Sequence, residues 1–136
     1  MENLKFDLTT QDGLINTQED LKKLINHRNT TGEIITVTDN LTLDVDIEGM
    51  FKNLINMISM IFKGFFNLFD DTEKLEKQME LATKTIEIAR AGGAKSIDIT
   101  LNSKNEGNLN LLLKKIDAKI GGKVEKDNTI TYSIKF

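Results

Sequence analysis

Residues 95–136 read KSIDITLNSKNEGNLNLLLKKIDAKIGGKVEKDNTITYSIKF, and the alternations in this stretch decide the fold. Ile97, Ile99 and Leu101 alternate with Ser96, Asp98 and Thr100, the period of two of a strand with one buried face. Ser103 and Glu106 stand at capping-box spacing. They predict a helix with Leu109, Leu112, Leu113, Ile116 and Ile120 along one stripe, closed by Gly121-Gly122. Residues 123–126 and 129–136 then flank Asp127-Asn128, residue types that tolerate the positive φ of a tight hairpin. Ile130, Tyr132, Ile134 and Phe136 share one face of the last strand. The unit is strand, helix, strand, strand.

The same order is legible from the N-terminus. Leu4, Phe6 and Leu8 alternate with Lys5, Asp7 and Thr9 as a strand. Thr17, three residues before Asp20, opens a predicted helix with Leu21, Leu24 and Ile25 on one face, and Gly32 ends the connection. Residues 33–38 and 41–47 form two further strands turning on Asp39-Asn40, with Leu41, Leu43, Val45 and Ile47 facing one way. FDLT matches IDIT, EDLKKLI matches LLLKKID, and each hairpin turns on Asp-Asn. Apolar residues fall at odd steps from the Asn in one unit and at even steps in the other. One hairpin therefore needs a bulge or an extra turn residue, because a slip of one flips every side chain. The expectation is an α+β fold in the order βαββ–αα–βαββ, an internal duplication with both repeats contributing to one sheet or to two related sheets around a pseudo-twofold axis. It is read as a single domain, 1–136, with repeats at 4–47 and 95–136 around a helical hairpin at 48–91.

The hairpin's first helix is apolar almost all round. Met50, Phe51, Leu54, Ile55, Ile58, Phe62, Phe65, Phe66 and Phe69 recur at steps of three and four, thickened by Met57, Met60, Ile61 and Leu68. Lys52, Lys63 and three asparagines argue against a membrane span. Asp70 to Glu73 starts a second helix that runs to about Ala91 before Gly92-Gly93, with a narrow seam of Leu75, Met79, Ala82, Ile86 and Ala89. That seam covers less apolar surface than its neighbour offers. The surplus points to an interaction surface of Met50, Leu54, Met57, Ile61, Phe62, Phe65, Phe66 and Phe69, used for homo-oligomerisation or a protein partner.

Composition narrows the function classes. The 136 residues carry a net charge of −3, and 39% are hydrophobic and 29% charged, as in a globular chain. Residues 1–49 carry −6, residues 50–94 carry 0 and residues 95–136 carry +3, so the two ends are of opposite sign. The chain has no cysteine, which excludes disulfides, and MENLKFDLTT lacks the basic start and apolar core of a signal peptide. Cytoplasmic location is the expectation. An acidic total and a single tyrosine disfavour nucleic acid, despite Lys114, Lys115, Lys119, Lys123 and Lys126.

No constellation of catalytic type stands out. His27 lies beside Arg28 near a helix end, where a cation favours the dipole. No serine sits in a G-x-S-x-G context, and no phosphate-binding glycine motif occurs. Asp7, Asp44, Asp46 and Asp98 share polar strand faces, a pattern that solvation explains before Mg²⁺ does. No cofactor or metal is expected, nor enzymatic activity. The reading is a small binding protein that regulates or inhibits a partner, as immunity proteins and inhibitors from mobile elements do. The alternatives are a small-ligand binder or sequestering protein, with a pocket between repeats or at a dimer seam, and a peripheral membrane protein resting its Phe-rich helix on lipid.

Overall fold

The computed structural model describes residues 4–31, 49, 51–56 and 72–136. It is mixed α and β. Four strands, β1 (Leu4–Asp7), β2 (Ser96–Asn102), β3 (Lys119–Lys126) and β4 (Thr129–Lys135), form one sheet in the order β1-β2-β4-β3. β1 and β2 are parallel, and both other pairings are antiparallel. Three helices, α1 (Gln11–Thr31), α2 (Thr72–Ala91) and α3 (Glu106–Lys115), accompany the sheet, together with a helical stretch at residues 51–56.

Side-chain alternation sorts the sheet into two faces. One carries Phe6, Ile97, Ile99, Leu101, Ile130, Tyr132 and Ile134, all buried, and forms the core with Leu14, Leu21 and Leu24 of α1, Leu81, Ile86 and Ile88 of α2 and Leu109 and Leu113 of α3. Burying a Leu- or Ile-sized side chain is worth about 1.5–3 kcal/mol, so this layer is the main source of stability. The other face carries Lys5, Asp7, Asp98, Thr100, Thr131 and Ser133, none of them fully buried. The Thr100 and Thr131 hydroxyls hydrogen-bond across strands at 2.7 Å.

Helix ends follow local chemistry, not always at the residues the sequence suggested. α1 starts before Thr17: the Thr10 hydroxyl accepts from the Gly13 N–H at 3.0 Å and is the cap. Thr17 is buried inside the helix, donating to the Gly13 carbonyl at 2.7 Å. A Cβ on Gly13 would lie 2.3 Å from the Asp7 carbonyl oxygen, so only glycine lets α1 begin so close to β1. Ser103 is likewise not the cap of α3. It opens a 3₁₀ turn, Ser103–Asn105, whose Lys104 N–H is accepted by the Asn102 side chain at 2.9 Å.

Nor does α3 reach Gly121-Gly122. It stops at Lys115, where Asp117 takes a φ of 57°, its N–H bonding the Lys114 carbonyl while the Ala118 N–H bonds that of Leu113. This is a Schellman end, built on aspartate in place of glycine. Ile120 and both glycines belong to β3, with a bulge between Ile120 and Gly122. α2 ends by the same motif, with Gly93 at a φ of 91° and the Ala94 N–H on the Ala89 carbonyl. A Cβ on Gly92 would lie 2.4 Å from Leu24 Cδ2, which sets the close packing of α1 on α2.

The Asp127-Asn128 hairpin forms as the sequence indicates, with Asp127 at a φ of 55°. The first hairpin, residues 33–38 and 41–47, lies outside the described residues, so the duplication rests on sequence alone. β1 and β2, the first strands of the two units, lie side by side and parallel with Phe6 opposite Ile99.

Candidate functional site

Of the eight residues expected to form an interaction surface, Leu54 alone is described, and it is fully buried in the core, with Phe51 packed against its edge. Met50, Met57, Ile61, Phe62, Phe65, Phe66 and Phe69 lie outside the described residues. α2 buries more than the narrow seam expected. Gln78, Leu81, Thr85 and Ile88 are buried beside Ala82, Ile86 and Ala89, while Leu75 and Met79 lie at the margin of the core. Leu81 and Ile88 widen the face with apolar surface, and Gln78 widens it with a polar side chain that finds partners inside.

Gln78 is the clearest case. Its Nε2 donates to the Leu8 carbonyl at 3.1 Å, and its Oε1 accepts from the Asn102 N–H at 3.0 Å and from Asn105 Nδ2 at 2.8 Å. One amide therefore ties together the chain leaving β1, the end of β2 and the 3₁₀ turn. Asn105, also buried, donates to the Leu75 carbonyl at 3.1 Å. Thr85 differs: its Oγ1 is buried with no hydrogen-bond partner among the described residues.

The carboxylate pattern is brought only partly together. Asp7 and Asp98 share the polar face and line one shallow cleft with Asp12, Thr10, Thr100 and Thr131. Asp7 lies opposite Thr100, and Asp98 opposite Lys5. Asp7 is committed to its own turn, accepting from the Thr9 N–H at 2.9 Å, the Thr9 hydroxyl and the Thr10 hydroxyl. Asp44 and Asp46 lie outside the described residues. Among the described residues no three His, Cys, Asp or Glu side chains are placed to hold a metal ion. No described helix is long and apolar enough to cross a membrane.

Among the described residues four large apolar side chains are exposed: Ile15 on α1, and three, Leu111, Ile120 and Val124, at the other end of the sheet. Cross-strand rows on the helix-covered face run Leu4–Ile97–Ile134–Ile120 and Phe6–Ile99–Tyr132–Lys123, ending at β3, the edge strand. Seven of its eight residues are exposed, and Ile120 and Val124 are 48% and 63% accessible. The Gly121 bulge turns these two to opposite faces: Ile120 pairs with Ile134 on the helix side, Val124 with Thr131 on the polar side. Leu111 of α3, 68% accessible, stands off the stripe that packs Leu109 and Leu113. A groove between α3 and β3 is lined by Gly107, Asn110, Leu111, Lys114, Ala118 and Ile120, with Asp117 also at its wall.

Charges at this edge are partly paired. Lys123 Nζ bonds Glu106 and lies 3.3 Å from Glu125, and these hydrogen bonds raise its pKa. The Tyr132 hydroxyl donates to Asn110 Oδ1 at 2.9 Å, and burial, helped by the Glu106 charge, raises its pKa. Lys114, Lys119 and Lys126 enter no ion pair among the described residues. Sequence reasoning passed over this edge by placing Ile120 in a helix. The signals were there: Leu111, Leu112 and Leu113 cannot share one helical stripe, and two glycines with three lysines suit an edge strand.

No protein-family model, no curated protein and no solved structure matches this chain.

Proposed function

We propose that this protein is a small non-enzymatic cytoplasmic module that binds a partner protein and thereby regulates or inhibits it. One observation carries the reading: beside a well-packed core, Leu111 and Ile120 stand exposed along the α3–β3 groove, Val124 stands exposed on the other face of β3, and no described strand pairs with the outer side of β3. Aliphatic side chains grouped at an accessible edge favour association more than catalysis. The polar groups support it as well, since Gln78 and Asn105 in the interior and Asp7 on the polar face are engaged in holding the fold.

Self-association through the Phe- and Met-rich residues 50–69 belongs to the same proposal, as does the duplication of the strand-helix-strand-strand unit. Affinity capture from native lysate, with wild type and the Leu111→Asp/Ile120→Asp variant in parallel, tests the reading. A stoichiometric protein held by wild type and lost by the variant is the expected result. A retained metabolite with no protein partner refutes it.

A further inference from the structure

We propose that β3 receives an extended segment of the partner as a fifth strand, and that this segment alternates apolar with acidic side chains. The inference rests on the protein-binding reading and specifies its partner and geometry. An edge strand presents a row of unpaired N–H and C=O groups, which another extended chain satisfies. β3 is such an edge over Lys119–Lys126, and no described strand pairs with its outer side.

The two sides of β3 ask for different residues. Toward the helices it offers Ile120, with Leu111 across the groove, while Lys123 on that side is already matched by Glu106 and Glu125. Toward the polar face it offers Lys119, opposite Lys135 of β4, and Lys126 at the far end of the strand, with Gly122 and Val124 between them. Successive residues of an added strand point to opposite faces. Its apolar side chains would enter the groove under Leu111, and its acidic ones would meet Lys119 and Lys126. The same lysines oppose pairing with a second copy of β3, which would bring like charges into one seam.

The probe is a fluorescein-labelled, end-capped decapeptide alternating valine and glutamate, followed by anisotropy and by amide exchange of the full chain. Two further peptides carry N-methyl groups on the valines only or on the glutamates only. Because alternate residues donate from opposite edges, each N-methylated peptide has one blocked edge. Expected are binding by the unmodified peptide, at least tenfold discrimination between the two N-methylated peptides, and new protection at alternate β3 amides. A valine–lysine peptide should bind at least tenfold more weakly, and Lys119→Glu/Lys126→Glu should reverse that order. Equal binding of both N-methylated peptides, or no binding of the unmodified one, overturns strand addition. A lysate partner that is still lost on Leu111→Asp/Ile120→Asp then leaves the broader reading standing, so the two failures are distinguishable.

Discussion

Replacing Gln78 by methionine keeps the volume of the side chain and deletes its amide, which isolates the interior polar bracket. The Leu8 carbonyl and the Asn102 N–H lose the partner that Gln78 provides, while Asn105 Nδ2 keeps the Leu75 carbonyl. A buried polar group left without its partner costs about 1–3 kcal/mol. The Leu8 side falls toward the upper end because the residue is fully buried, and the half-buried Asn102 toward the lower. Allowing for the apolar gain of methionine, the net loss is about 3 kcal/mol. A domain's whole stability is about 5–15 kcal/mol, so the loss is a large share of it. Urea titration followed by circular dichroism reads it directly: with an m-value of about 2 kcal/mol/M, the midpoint falls by about 1.5 M. Adding Asn105→Ala should cost less than the sum of the single effects, because the two side chains share a bond. A loss under about 1 kcal/mol, or strict additivity, would refute the bracket.

Other substitutions probe separate parts of the account. Thr85→Val removes a buried hydroxyl that has no hydrogen-bond partner among the described residues, and thermal melting should show a gain of about 1 kcal/mol. Gly92→Ala forces a Cβ against Leu24 and should lower stability by about 1–3 kcal/mol in the same assay. Burial raises the Tyr132 pKa above its unfolded value, so the folded state holds this proton more tightly. Its contribution is fully present below about pH 10 and is lost as pH rises through the folded pKa; Tyr132→Phe should flatten that decline, with phenolate absorbance locating the titration. Self-association through residues 50–69 predicts a dimer or larger species by light scattering at micromolar concentration, and Phe65→Glu should reduce it to monomer; a wild-type monomer ends that part of the proposal.

Period-two alternation made β1, β2 and β4 legible, because each has one face on the core and one toward water. The β3–β4 turn was legible for the same kind of reason, since Asp127 adopts the positive φ that its residue type tolerates. Helix boundaries were less so. Thr10 and Thr17 are chemically equivalent as caps, and only the close approach of Gly13 to Asp7 decides between them. The end of α3 was hidden because Asp117 takes the left-handed role that glycine usually fills, while the nearby Gly121-Gly122 serves a bulge. For the candidate site, sequence drew attention to the Phe-rich stretch, where Leu54 is core and Phe51 packs against it. The α3–β3 edge went unread because an edge strand has no buried face to impose a pattern. Gln78 was missed for a related reason: a polar residue on an apolar stripe reads as an interruption until its three partners are known.

The central claim is that β3 is an open edge, and amide hydrogen exchange of the free protein, resolved by residue, tests it most directly. The account predicts slow exchange throughout β2 and β4, which are paired on both sides, and alternation along β3. Amides directed at β4 should be protected, and those directed outward should exchange at close to intrinsic rates. Uniform protection along Lys119–Lys126 in the free protein would mean that the edge is already occupied, and would contradict the claim.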